Sequence, residues 1–265
     1  MRSRPSAAVR SHLLAHLGEP FADLREKVAP GAAVEVCGFA ATPWPGQVTL
    51  ATNGLSTFAR TRGFAGPDGL ADELVMVVGD AFLGDAFLAF FVNLARVYAA
   101  HAELLDWHES IRLDRPVPGS EDMRFLLPTP TAMFEESFAL AEEANGLTAM
   151  RYLLPLRESE DARIAALGVE AFHQYMEQLA PEYWNLRRRA LFPGDGVVRR
   201  WDADAGVGVV ALDRDGLLVW THYSVVVAEP GAYRSLEPGQ RVRCWFETPG
   251  QDGYPARAVR VEVQD

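Results

Sequence analysis

The chain has 265 residues, 49% of them hydrophobic and 10% aromatic, which is typical of a globular protein with one large domain or two modest ones. Its 25 Lys and Arg against 36 Asp and Glu give a formal net charge of −11. This balance disfavours non-specific binding to nucleic-acid backbones, because that affinity comes largely from Lys and Arg. It suits a basic protein partner, although solubility alone would explain the same charge.

Cysteine usage and hydropathy predict a reduced, cytoplasmic protein that does not span a membrane. Cys37 and Cys244 have no CxxC neighbour and no histidine cluster, so neither a disulfide framework nor a zinc site is indicated, and no cofactor is expected. Charged residues and histidines break the apolar run within residues 1–20, which is therefore not a signal-peptide core. The longest apolar stretch, residues 81–105, is interrupted by an aspartate and an arginine, which favours a buried core helix.

The part of the chain before residue 191 mixes helical and strand periods. Apolar residues three to four apart predict helices over residues 6–17, 21–28, 81–105 and 158–180. Period-two or fully apolar runs predict strands over residues 34–40, 47–53, 72–79, 107–113, 123–128 and 150–156. Strands interspersed with helices predict an α+β or mixed α/β domain.

The sequence LFPGDG, residues 191–196, indicates a break between two domains, which we place at 1–193 and 194–265. After it come five short runs of period two, VVRRW, VGVVALD, LLVWTHYS, RVRCWFE and ARAVRVEV, which predict a small closed barrel. Residues 1–194 carry a net charge of −8 and residues 195–265 carry −3, so both parts are acidic.

The order of short motifs in residues 195–265 resembles that of a cold-shock domain. The matching positions are Gly196, Val198 and Trp201, then Gly206 and Gly208, then Val219, Trp220, His222, Tyr223 and Ser224, and finally YRSLEPGQRV (233–242) and YPARAV (254–259). The resemblance implies an all-β five-stranded OB-fold barrel that binds single-stranded nucleic acid by stacking bases on exposed rings.

Several positions that carry this chemistry in the cold-shock family are changed here. Arg200 replaces a tryptophan, Val207 and Val209 replace phenylalanines, and Ala205 replaces a lysine. Each lost ring removes about 1–3 kcal/mol of stacking, so only weak binding of RNA or DNA is expected. The nucleic-acid candidates that remain are Arg199, Arg200, Trp201, Trp220, His222 and Tyr223. The alternative is that Trp220 and Tyr223 are core or interface residues.

The larger N-terminal part resembles the Suppressor of fused domain in its bacterial form. The matches occur in the family's order and are QVTLATNGLS (47–56), ADELVMVV (71–78), LLDWHES (104–110), FLLPTP (125–130) and RYLLPLRESEDARIAALGVEAFHQYMEQ (151–178). The resemblance implies an α+β fold that binds proteins rather than one that performs chemistry. Bacterial members look like immunity proteins that neutralise secreted toxins, and an acidic chain suits a basic toxin.

The partner-binding candidates are Trp107, His108, Glu109, Glu135 and Glu136. The first three are placed by the family analogy on the wall of a groove. Glu135 and Glu136 are either part of such a patch or simply a charged helix face. The leading hypothesis is thus a non-enzymatic protein-binding protein, and the alternative is a regulator that binds single-stranded nucleic acid through the barrel.

Enzymatic function is disfavoured because no complete nucleophile or metal constellation is found in the sequence. His12 and His16 have the i, i+4 spacing of metal ligands on a helix, but no third ligand is indicated, so a solvated helix face is the simpler interpretation. His108 and Glu109 are adjacent on a predicted strand and would point to opposite faces, which disfavours their acting as an acid–base pair.

Overall fold

The computed structural model describes residues 4–66, 69–101, 109–131, 133–179, 182–188, 190–213, 216–229, 233–248 and 250–264. The chain forms two compact units, Met1–Arg188 and Arg189–Asp265. No helix in these described ranges is long and apolar enough to cross a membrane.

The N-terminal unit is built on one mixed sheet. Its helices are α1 (Ala7–Leu17), α2 (Leu55–Arg62), α3 (Asp85–His101), α4 (Glu158–Leu167) and α5 (Val169–Leu179). Its strands are β1 (Ala22–Ala29), β2 (Ala32–Ala40), β3 (Gln47–Asn53), β4 (Ala71–Gly79), β5 (Ile111–Arg112), β6 (Met123–Thr129), β7 (Leu140–Glu143) and β8 (Gly146–Arg157). The strand order is β1-β2-β3-β4-β8-β6-β5, with β7 also paired to β8 and only β4 and β8 parallel.

Both faces of the sheet are covered, which explains why its central strands read as continuous apolar runs. Alternate residues of β4 point to opposite faces: Leu74 and Met76 pack with α2 and α3, while Val75 packs with α1. Phe87 and Phe91 of α3 are buried on the first side, as the apolar spacing predicts. The sheet therefore forms the centre of this unit, and the loops at the ends of its strands are positioned by it.

Two helix predictions in this unit are wrong. Residues 21–28 form the edge strand β1, in register with β2 from Ala22 opposite Gly38, because pairing with a neighbour overrides a weak helical spacing in so short a segment. Residues 158–180 form two helices instead of one, because Gly168 adopts a φ of 84° that ends α4. The spacing also gave no indication of α2 or β7.

The C-terminal unit is a closed barrel of β9 (Ala190–Asp202), β10 (Val207–Leu212), β11 (Leu218–His222), β12 (Arg241–Thr248) and β13 (Ala256–Val263). The order around the barrel is β10-β11-β13-β12-β9, and the β11–β13 pair is parallel while the others are antiparallel. This is the connectivity of a five-stranded OB fold. All five predicted strands are confirmed.

The LFPGDG sequence, which predicts a break between domains, lies inside the strand β9. Residues 190–197 pair with β12 and residues 196–202 pair with β10, so the strand changes neighbours near Gly196. Pro193 lies in the part of β9 that pairs with β12 alone, so the N–H that proline lacks is not needed for hydrogen bonding to a second strand. A Cβ on Gly196 would lie 2.4 Å from the Ala211 carbonyl oxygen, so the position at which β9 changes neighbours requires glycine.

Candidate functional site

Three of the nucleic-acid candidates lie together on the outside of the barrel. Along β11, Val219 and Thr221 are buried while Trp220 and His222 point outward. The Trp220 and His222 ring centroids are 6.0 Å apart at an interplanar angle of 14°, and His222 and Tyr223 are 4.4 Å apart. Tyr223 is 48% exposed. The rings therefore form one outward-facing strip rather than part of the core.

Arg200 extends this strip across β10. Val209 pairs with Trp220 on one side and with Arg200 on the other, so these three side chains lie in one row. The Arg200 guanidinium donates to the Tyr254 hydroxyl at 2.9 Å and lies 5.9 Å from its ring centroid. Sequence reasoning missed Tyr254, because nothing in the sequence places the segment before β13 beside β9.

Trp201 does not join the outer strip. It is partly buried and packs against the barrel core, and a Cβ on Gly208 would lie 2.5 Å from its ring. Arg199 is exposed on β9, at a point where the register with β10 shifts between Val209 and Val210. This bulge explains why Arg199 and Arg200 are both exposed although they are consecutive.

Some arginines of the barrel are held in ion pairs and others are not. Arg241 pairs with Asp213, Arg243 with Asp195, and Arg260 with Glu262. The hydrogen bonds from Arg243 lower the pKa of Asp195. By contrast, Arg199, Arg200 and Arg234 have no carboxylate partner among the described residues. Arg234 donates to the Ser224 carbonyl at 2.9 Å, which places it beside the aromatic strip. Asp202 is also exposed beside the strip, because Val207 pairs with Asp202 on one side and with His222 on the other, so the strip combines these arginines with a carboxylate.

The partner-binding candidates of the N-terminal unit are only partly placed. Trp107 and His108 lie outside the described residues. Glu109 is exposed. Glu135 and Glu136 are also exposed, at the start of a 3-10 turn (Glu136–Ala139) rather than on an α-helix. The three described candidates, Glu109, Glu135 and Glu136, are therefore all accessible from the surface, and their role in partner binding stays a prediction.

The His12 and His16 pair is not arranged as a metal site. The rings lie 4.6 Å apart, but the His12 Nε2 atom is 3.0 Å from the Phe138 carbonyl oxygen and both rings pack on the Phe138 ring. Burial lowers the pKa of His12, with the neighbouring His16 acting in the same direction. The pair serves to attach α1 to the turn that carries Glu136.

A second group of ligand-type atoms, on Asp23, Glu35 and Cys37, already holds a cation of the chain. The Arg10 guanidinium lies 2.6 Å from an Asp23 oxygen, 3.8 Å from a Glu35 oxygen and 3.2 Å from the Cys37 Sγ atom. Its hydrogen bond lowers the pKa of Asp23. Burial raises the pKa of the Cys37 thiol to about 12, so the thiolate that a metal would need is disfavoured.

A fully buried polar centre that the sequence analysis did not identify lies at Glu73 on β4. Its carboxylate is fully buried and accepts hydrogen bonds from the N–H groups of the turn into α2 and from two hydroxyls, those of Thr52 and Ser56. Burial raises the pKa of Glu73, and these donors oppose the rise. A carboxylate without solvent access that satisfies backbone donors has a structural role.

Comparison with known proteins gives matches only at the level of structure. No family model and no curated protein matches the chain. A SUFU (suppressor of fused protein) homologue from Neisseria gonorrhoeae covers 68% of this chain and 93% of its own length, at 14% identity and a TM-score of 0.53. The Sufu–Fu complex covers 67% and 86%, at 10% identity and a TM-score of 0.49. Apo-CusF from Escherichia coli covers 29% and 90%, at 14% identity and a TM-score of 0.22.

The first of these similarities shows the fold and nothing beyond it. The expected fold class is confirmed: an α+β part like that of a Suppressor of fused homologue, and a closed five-stranded barrel.

Proposed function

We propose that this chain is a non-enzymatic protein-binding protein with a basic partner, and that it serves as an immunity protein against a secreted toxin of that charge. The observation that carries the proposal is where the negative charge of the N-terminal unit lies. Arg60, Arg151 and Arg188 have side chains only 13%, 3% and 4% exposed, and each is paired with a carboxylate. Because these buried pairs cancel, the excess negative charge is carried by the surface.

The exposed carboxylates are available to a partner. Seven of those that have no Lys, Arg or His partner within the described ranges are Asp80, Asp85, Glu109, Glu135, Glu136, Glu142 and Glu170. An acidic surface of this kind accelerates encounter with a basic protein, and close charge pairs at such an interface contribute about 1.5–7 kcal/mol.

The absence of catalysis is part of the proposal. One pair of a hydroxyl and a carboxylate is out of reach of any substrate: Ser56 donates to Glu73 at 2.8 Å, and both are inaccessible to solvent. The Cys37 thiol is likewise buried. Groups that no substrate can reach support a structural role for these clusters.

The test searches the genes beside this one for a secreted toxin domain and measures binding of the full chain to that domain. We expect a complex of micromolar affinity or tighter whose association rate falls steeply between about 50 and 300 mM salt. Reversing two charges with Glu135→Lys and Glu136→Lys should slow association roughly tenfold, because electrostatic steering acts mainly on the association rate. Stopped-flow mixing measures both effects, with Glu19→Lys as the control at another exposed acidic position. A salt-independent rate, or no complex, would contradict the proposal.

A second candidate function is binding of single-stranded nucleic acid by the barrel. The observation that favours it is the coincidence of the Trp220, His222 and Tyr223 rings with arginines that have no acidic partner. Stacking on the rings and pairing of the arginines with phosphates are the two contributions that such binding needs.

For this second function we expect labelled single-stranded RNA to bind with micromolar affinity at low salt and more weakly at high salt. Trp220→Ala should weaken binding at least about fivefold, since one stacked base contributes about 1–3 kcal/mol. Fluorescence anisotropy measures the effect. Leu218→Ala is the matched control, because Leu218 lies on the outward side of the same strand and has no ring. Equal losses in the two variants would argue against stacking.

A further inference from the structure

Two tryptophans of the N-terminal unit, the exposed Trp44 and the half-buried Trp184, form a pair that neither proposed function uses. The Trp44 and Trp184 ring centroids are 5.3 Å apart and the rings are inclined at 52°. Trp44 is 46% exposed. Because the rings are tilted rather than stacked, they leave aromatic surface open to solvent. Tryptophan is enriched among the residues that dominate binding energy at interfaces.

The pair is held rigidly by the end of β4. The N–H of Gly79 donates to the Trp184 carbonyl at 2.9 Å, and the N–H of the next residue, Asp80, donates to the Gly46 carbonyl at 2.9 Å. Consecutive amides therefore fix the two segments that carry the rings. Such pre-organisation lowers the entropy that a ligand must overcome on binding.

The chemistry around the rings suits a guanidinium. Asp80 is exposed and has no cation partner among the described residues, and its backbone lies between the two tryptophan segments. The Arg187 guanidinium, three residues after Trp184, lies 5.6 Å from the centroid of the Phe82 ring. This surface thus already holds one arginine over an aromatic ring. Trp44 offers a second ring for the same cation–π contact, and Asp80 adds a carboxylate with no cation partner among the described residues.

We propose that Trp44, Trp184 and Asp80 form a docking site for an arginine side chain of the basic protein partner. This inference rests on the proposed function and adds the residue type that the surface selects. Arginine is favoured over lysine because its planar guanidinium stacks on aromatic rings while it pairs with a carboxylate. Lysine is a hydrated point charge that would be attracted to any acidic surface.

The probes are fluorescein-labelled octapeptides of alternating glycine and arginine, glycine and lysine, or glycine and proline, titrated with the full chain. We expect the arginine peptide to bind at least fivefold more tightly than the lysine peptide and the proline peptide. Trp44→Ala should weaken arginine-peptide binding about tenfold, Trp44→Phe less, and Asp80→Asn several-fold. Glu19→Gln, at an exposed carboxylate elsewhere, should leave binding unchanged, and circular dichroism checks that each variant is folded.

Each other outcome overturns the site. Equal binding of the arginine and lysine peptides that is unaffected by Trp44→Ala means that charge alone acts, and the basic-partner proposal would then survive without this site. Tighter binding of the proline peptide assigns the rings to a different ligand. Failure of the arginine peptide to bind overturns the docking site, whereas the toxin experiment decides the proposed function separately.

Discussion

Replacement of Glu73 with alanine is expected to lower the free energy of unfolding of the N-terminal unit by about 3–5 kcal/mol. The carboxylate accepts from the backbone N–H groups of Gly54, Leu55 and Ser56 at 2.8, 3.2 and 3.0 Å. Without it these three donors would be left buried without an acceptor, and each unmade bond costs about 1–3 kcal/mol. The hydroxyls that also donate to Glu73 can rotate, so their loss is smaller.

Substitution of Glu73 by glutamine tests the contribution of the negative charge, because the two side chains have nearly the same shape. Glu73→Gln keeps one acceptor oxygen but turns an NH₂ group toward donors, so we expect a loss of about 1–2 kcal/mol. Urea denaturation of the full chain, followed by circular dichroism, measures both variants. Glu121→Ala, at an exposed carboxylate, should change the free energy by less than about 0.5 kcal/mol. A Glu73→Ala variant as stable as this control would show that water replaces the carboxylate.

The sequence predicts best those parts of the fold in which local pattern and tertiary position agree. The apolar run of β4 and the period-two runs of the barrel were predicted correctly, because each strand buries the residues that its own pattern marks. The helix prediction for residues 21–28 was wrong because their conformation depends on pairing with β2. A local spacing pattern carries no information about that partner strand. The prediction of one helix over residues 158–180 was wrong because glycine, here Gly168, tolerates both a continuous helix and a helix end.

The candidate sites, too, could be predicted where they depend on local sequence and could not where they depend on tertiary contacts. Trp220 and His222 could be predicted as neighbours because they are two residues apart on one strand and therefore share a face. The Arg200–Tyr254 pair and the Trp44–Trp184 pair could not be predicted, because each joins segments more than 50 residues apart in the sequence. Within the run from Arg187 to Arg189, local sequence gives no reason for one arginine to be buried and its neighbour exposed.

Arg188 is buried, unlike the exposed Arg187 before it, and its replacement by leucine is expected to destabilise the N-terminal unit by about 3–5 kcal/mol. Its guanidinium lies 2.9 Å from one Glu160 oxygen and donates to the other at 3.0 Å, and it also donates to the Pro155 carbonyl at 2.9 Å. The two side chains are only 4% and 5% exposed, so Arg188→Leu leaves the Glu160 carboxylate buried without its cation. Breaking a buried pair in this way costs more than the pair itself contributes.

The double variant Arg188→Leu/Glu160→Leu is therefore expected to be more stable than Arg188→Leu alone, because no unpaired charge remains. It should stay below the unsubstituted chain by about 1 kcal/mol or more, since Glu160 also accepts from the Arg157 N–H at the start of α4. Arg187→Leu, which alters the exposed neighbour, should cost no more than about 1 kcal/mol. Urea denaturation of the unsubstituted chain, the double variant and the three single variants Arg188→Leu, Glu160→Leu and Arg187→Leu measures these differences. If the two single losses simply add in the double variant, the ion pair is not the source of the cost, and the packing of the long side chains must be.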